Sequence, residues 1–223
     1  MLLHTFSLSD MEYLASAGRA TLSLSLLTFV GSGLLGLLLT FLRVSRNPVA
    51  RLFALGYIEL IQSIPLLTQL FIWFFLLSLY GIRLQATLAA GIALTVNATA
   101  FFAEIWRGSI EAVPRTQWEA AASIGMSRRQ QITYIIAPQA LRIAIPPTIG
   151  LMIQIIKGTS LTALVGFVEL TRAGQLVTST TFQPLTTFST VALLYLAICL
   201  PLSLISQRLE DRLDVGDSIA VGV

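Results

Sequence analysis

Residues 20–42 read ATLSLSLLTFVGSGLLGLLLTFL, a run without a single charged side chain. As a helix it would measure about 34 Å, enough to cross the roughly 30 Å hydrocarbon core of a bilayer. Four further apolar blocks follow at about 56–80, 86–106, 143–165 and 185–206, the fourth interrupted by Pro146-Pro147 and by Lys157-Gly158. Of the 223 residues, 55% are hydrophobic and 11% charged, where a soluble domain carries about 25% charged residues. Lipid offers no partners to unpaired backbone groups, so spanning segments must be helices or a closed barrel. Short alternating segments of the barrel type are absent. The expected fold is an all-α integral membrane protein, a single domain over 1–223 with about five transmembrane helices. Within the first block, Gly31, Gly33 and Gly36, with Ser23, Ser25 and Ser32, recur near helical spacing. Small residues let helices approach closely where apolar burial gives no extra drive, which predicts a packed bundle.

Charge sets the expected orientation. Arg43, Arg46, Arg51, Arg107, Arg115, Arg128, Arg129, Arg142, Arg208 and Arg212 follow the first, third and fifth blocks or fall between the third and fourth. Arg19, Arg83 and Arg172 lie on the other side. Cytoplasmic connections are enriched in Lys and Arg, so ten against three predicts an N-terminus outside and a C-terminus in the cytoplasm. The net charge of +3 therefore reads as membrane orientation and not as nucleic-acid binding. Cys199, the single cysteine, sits in an apolar block and has no intrachain partner. The opening residues lack the pattern of a cleaved signal peptide, and no internal repeat is visible.

The longest polar connection, about 107–142, contains an island over Pro114–Gly125: Pro-Arg-Thr-Gln-Trp-Glu-Ala-Ala-Ala-Ser-Ile-Gly. Thr116 and Glu119 have the spacing of a capping box, predicting a short helix over Gln117–Ile124. Gly125 is placed to end it in a left-handed conformation. Ser127 and Gln130 repeat the capping spacing and predict a second helix running towards Pro138. Ala120, Ala121 and Ala122 keep one side of the first helix slim, while Trp118 and Ile124 supply apolar contacts. A short helix lying on the membrane surface fits the same pattern.

Glu119-Ala120-Ala121 followed after three residues by Gly125 resembles the EAA motif of the permease subunits of ATP-binding cassette importers. The flanks Ala103-Glu104-Ile105-Trp106-Arg107-Gly108, Val113-Pro114, Gly125-Met126-Ser127, Pro138-Gln139-Ala140, Pro146-Pro147, Lys157 and Thr159-Ser160-Leu161 look like the polar amino acid branch of that family. Pro65-Leu66-Leu67 with Gln69-Leu70-Phe71, and Thr21-Leu22 with Ser25, extend the likeness over nearly the whole chain. The resemblance implies a bacterial inner-membrane protein whose island is a coupling helix docking on a separate ATPase. It also implies a second permease subunit, identical or related, and an extracytoplasmic amino acid-binding protein. In that picture Trp118, Glu119, Ala120, Ala121 and Gly125 transmit motion and catalyse nothing. No cofactor is implied.

The chain's own residues agree: it has no phosphate-cradling Gly-x-x-x-x-Gly-Lys-[Ser/Thr] loop, and one His and one Cys make no zinc cluster or nucleophile pair. A secondary transporter or channel, or a scaffold that moves nothing, are the readings from other classes. Ionisable residues inside spans usually face the bundle interior or water. Glu104 is expected to pair with Arg107 one turn on, and Glu59 with Arg51 near the cytoplasmic face. Lys157, Gly158, Thr159, Ser160 and Glu169 mark a loosened segment beside a possible substrate path, with simple helix packing as the alternative. Two departures from the family pattern stand out. Relatives commonly carry an acidic residue where this chain has Gly158, and Phe-Arg-Gly-Thr-Pro where it reads Ile61-Gln62-Ser63-Ile64-Pro65. The first departure removes an obvious partner for a cationic substrate.

Overall fold

The computed structural model describes residues 5–45, 47–76, 79–81 and 85–220. Arg46 and Arg83, two of the arginines used for orientation, and the side chain of Arg212 lie outside the described residues, as do residues 77 and 78 of the second apolar block. Among the described residues the chain is helical throughout. Its helices are α1 (Leu8–Arg43), α2 (Pro48–Ser63), α3 (Leu66–Phe71), α4 (Ala86–Glu111), α5 (Arg115–Ser123), α6 (Arg128–Gln130), α7 (Ala137–Gly158), α8 (Leu170–Thr181) and α9 (Pro184–Ala220). Wide π-type turns extend α3 over Ile72–Leu76 and join α6 to α7 over Gln131–Ile136. Four helical stretches are long and apolar enough to span a bilayer alone, and the bent pair α2–α3 brings the number to five.

Helix α4 is the hub, packed against α1, α2, α3 and α7. Its approach to α1 depends on small residues, as the glycine spacing predicts. A Cβ built at Gly36 would stand 2.5 Å from the Cβ of Phe102, whereas one at Gly33 would meet Phe102 only at 3.7 Å. Thr21, Ser25, Ser32 and Thr40 are buried, and each hydroxyl donates to the carbonyl four residues back, so these four hydroxyls enter the interior already paired. Gly36→Leu is therefore expected to force α1 and α4 apart, overpacking that costs about 1–3 kcal/mol or more. Gly33→Ala should be tolerated. The yield of monodisperse protein after detergent extraction distinguishes the two.

The second span, expected over about 56–80, is bent: α2 and α3 meet at 100°. Pro65 has no N–H to give the Ile61 carbonyl, so α2 ends. Gln69, 3% exposed, makes up the loss by donating its side-chain amide to the carbonyls of Ile61 and Ile64, both at 2.8 Å. The fourth span departs in the opposite sense. Helix α7 continues through Pro146 and Pro147 without a break, and the hydroxyl of Ser206 on α9 donates to the Pro146 carbonyl at 3.0 Å. The second helix of the connection does not stop near Pro138 either. The π turn just before it widens the register where that proline withholds its N–H. At Gly158 the helix tightens into a 3-10 turn, Thr159–Val165, and stays wound. Gly166, with φ +88°, closes that turn. The short helix α8 follows, an element the hydropathy pattern did not signal.

Candidate functional site

The island folds as a helix and a glycine turn, but with a different start from the one its capping spacing predicts. Pro114, in an extended conformation, precedes the first turn, and Thr116 lies inside α5 with no side-chain cap bond. The rigid Val113-Pro114 entry sets the start two residues earlier than Thr116 could. The end is as expected. Gly125 adopts φ +78°, its N–H reaches the Ala122 carbonyl at 3.0 Å, and the Met126 N–H reaches Ala121 at 3.2 Å. This paired arrangement is a Schellman motif. The second capping box also forms: the Ser127 N–H donates to Gln130 Oε1 at 2.8 Å and the Gln130 N–H to Ser127 Oγ at 3.4 Å.

Helix α5 has two distinct sides. Ala121 is buried, and Trp118 packs inward with Val113, Ile136 and Ala140 on the foot of the fourth span. Of the two apolar residues expected to meet a partner, only Ile124 faces outward, 77% exposed. Glu119, Ala120, Ala122 and Gly125 are exposed beside it. Two contacts tie α5 to the helix that follows: the Arg128 guanidinium stacks 4.0 Å from the Trp118 ring centre, and the Gln131 side chain donates to the Met126 carbonyl at 2.8 Å. Above the island, Arg107 bridges Glu104 at 2.6 Å and also Glu111, which includes the expected pair. The pair expected between Glu59 and Arg51 is absent among the described residues. Eight positions on one helix separate them by about 12 Å, and both are exposed.

A cavity of about 240 Å³ opens at the bend of the second span. Gln62, Ile64, Pro65 and Leu66 line it from the bend, Leu94, Asn97, Ala98 and Phe101 from α4, and Leu151, Gln154 and Ile155 from α7. Three carboxamides thus face a space otherwise walled by apolar groups. Gln62 stood out in the sequence only as part of the Ile61–Pro65 departure, and Asn97 and Gln154 not at all, although a lone amide inside an apolar block is a visible signal. The cavity and the island share α4 and the fourth span: ten residues, about 15 Å of helix, separate Phe101 from Glu111.

Lys157 is exposed one turn beyond Gln154, and Gly158 packs against the cavity wall, its would-be Cβ 3.3 Å from Leu66 and 3.6 Å from Leu94. The hydroxyls of Thr159 and Ser160 donate to the carbonyls of Ile156 and Lys157. Glu169 stands apart from the cavity and is wholly buried. Its carboxylate caps α8, accepting the N–H groups of Thr171 and Arg172 and the hydroxyl of Tyr195, each at 2.8 Å. The Leu170 N–H reaches Thr21 Oγ1 at 3.1 Å, so α8 is pinned to both α1 and α9.

The described residues thus form a multi-pass bundle with a bent second span, a cavity lined by three carboxamides at the bend, and a largely exposed Glu-Ala-Ala helix between the third and fourth spans. Residues 32–215 match the binding-protein-dependent transport system inner membrane component family, and the chain belongs to it. It is 37% identical over 204 residues to the glutamine transport system permease protein GlnP of Escherichia coli (strain K12), covering 91% of this chain and 93% of that one. It is 37% identical to the L-cystine transport system permease protein TcyB of Bacillus subtilis (strain 168), covering 87% and 83% of the two chains. A solved amino acid ABC transporter crystallised with histidines superposes with a TM-score of 0.88 at 30% identity, over 94% of this chain and all of that one. The MetNI methionine transporter in an inward-facing form shares the fold, with a TM-score of 0.77 at 20% identity.

Proposed function

We propose that this chain is the permease subunit of a bacterial ATP-driven amino acid importer, working in the inner membrane by alternating access. Its N-terminus faces outward and its C-terminus the cytoplasm. It pairs with a second permease subunit, docks on a separate ATP-binding cassette ATPase and receives substrate from an extracytoplasmic binding protein. The observation that carries this reading is the shared scaffold: α4 and the fourth span both line the polar cavity and hold the Glu-Ala-Ala helix at their feet. Glu119, Ala120 and Gly125 form the docking face, while Ala121 and Trp118 seat that face on the fourth span. Motion imposed on α5 then passes through the Trp118–Arg128 stack and the Gln131 bond into the helix bearing Leu151, Gln154 and Ile155. The substrate path runs through the cavity and past Lys157, Gly158, Thr159 and Ser160, with Glu169 supporting that path by holding α8 in place.

Reconstitution tests the reading directly. The permease, assembled with its ATPase and binding protein in proteoliposomes, is expected to accumulate a labelled amino acid only when ATP is hydrolysed. Uptake driven equally well by an ion gradient without ATP would assign the chain to secondary transport instead.

A further inference from the structure

The cavity at the second-span bend has a chemical character that narrows its ligand, given the transport reading above. Its polar groups are the carboxamides of Gln62, Asn97 and Gln154, and none of its lining residues carries a charge. None of the three amides has a side-chain hydrogen-bond partner among the described residues, so their donors and acceptors are open to a guest. A carboxamide offers two N–H donors and an acceptor oxygen, and can meet an ammonium, a carboxylate or another amide. It cannot neutralise a second positive or negative charge. Within a membrane bundle an unpaired charge is strongly disfavoured. At 240 Å³ the cavity lies below the roughly 300–1,000 Å³ of drug-sized sites, which fits a single small metabolite.

Gly158 makes the wall what it is. It lies against Leu66 and Leu94, two residues of the lining. Any side chain here must press on those leucines or turn along the cavity rim, and a carboxylate would bring in the negative charge the lining lacks. Lys157, next to it and exposed, adds a positive charge near the rim that opposes cationic guests.

We infer that this cavity is a transit site selective for α-amino acids with uncharged polar side chains, and that Gly158 is a specificity-determining position that keeps its wall neutral.

The test uses the complete permease–ATPase complex in nanodiscs, without the binding protein, so that selectivity belongs to the membrane site. Direct binding of radiolabelled L-glutamine and L-lysine is measured, followed by ATP-driven uptake of each by the reconstituted complex. Glutamine is expected to bind at least tenfold more tightly than lysine. Asn97→Leu with Gln154→Leu should weaken glutamine binding about tenfold or more, the scale of losing one or two polar contacts, with co-elution of permease and ATPase in size-exclusion chromatography as evidence of an intact complex. Gly158→Asp should narrow or reverse the preference for glutamine over lysine. Should the leucine double variant fail to assemble, Gly158→Asp and the wild-type comparison still decide. Equal binding of lysine and glutamine by the wild type, or glutamine binding unaltered by the double variant, overturns the inference while ATP-driven uptake leaves the importer reading standing. Loss of ATP dependence would instead strike at the importer reading itself.

Discussion

Gln69→Leu is expected to abolish most transport. The side chain is 3% exposed and donates to two carbonyls, of Ile61 and Ile64, that the proline break leaves without their usual partners. Leucine fills a similar space but donates nothing. Each buried carbonyl left unpaired costs about 1–3 kcal/mol, and the surrounding lipid cannot supply a donor. The bend holds Gln62, Ile64, Pro65 and Leu66 in the cavity wall, so its relaxation should distort the cavity before it unfolds the bundle. ATP-driven uptake is expected to fall more than tenfold and the melting temperature of the purified complex by several degrees, on the scale of about 2–8 °C per kcal/mol. Gln69→Glu separates donors from volume: an ionised carboxylate is close in size but only accepts, so this variant should fail much as the leucine variant does. Wild-type uptake and stability in Gln69→Leu would mean that the bend holds without its brace.

How legible such features were in the sequence depends on how far apart their causes lie. Apolar runs need only local context, and α4 over Ala86–Glu111 contains the block expected at 86–106. Glycine turns are local too, which is why Gly125 behaves as its position predicts. Proline effects are different. Pro65 bends its span while Pro146 and Pro147 do not, and the sequence marks all three alike. Tertiary context separates them. Pro146 and Pro147 sit in a helix braced by Ser206 from α9, whereas at Pro65 Gln69 caps the broken end from within the same span and so stabilises the bend. Capping boxes show the same limit. Ser127 and Gln130 cap their helix, but Thr116 lost its role to the extended Pro114 beside it.

The cavity was the hardest feature to see. Gln62, Asn97 and Gln154 are 35 and 57 residues apart in sequence and converge only when the second span bends and α4 and α7 pack beside it. Charged residues drew notice instead, and one of them proved to serve the fold. Glu169 is a wholly buried helix cap whose three bonds pin α8; in a bundle where lipid accepts no stray charge, its capping N–H groups and the Tyr195 hydroxyl are what allow a carboxylate there. The division is physical: the buried Glu169 carboxylate is held by backbone N–H groups at a helix end, and the amides of Gln62, Asn97 and Gln154 are left for the cavity.

The second large effect is expected at Gly125, where Gly125→Pro should leave the protein in the membrane but stop ATP-driven uptake. At φ +78° the position suits glycine, while proline is locked near −65° and also lacks the N–H that meets the Ala122 carbonyl. The turn cannot form, a penalty of about 3 kcal/mol or more, and the helix Arg115–Ser123 loses its fixed angle to the fourth span. None of the long apolar stretches includes this turn, so extraction yield and monodispersity should stay near wild type. Gly125→Ala keeps the N–H and faces only the left-handed strain of about 1–2 kcal/mol, so it should retain part of the uptake. Glu119→Lys supplies the complementary test. Glu119 is exposed and its carboxylate has no partner among the described residues, so reversing its charge should leave stability alone and weaken only the docking of an ATPase. If Gly125→Pro and Glu119→Lys both sustained full ATP-driven uptake with normal coupling, the Glu-Ala-Ala helix would not be where the ATPase pushes.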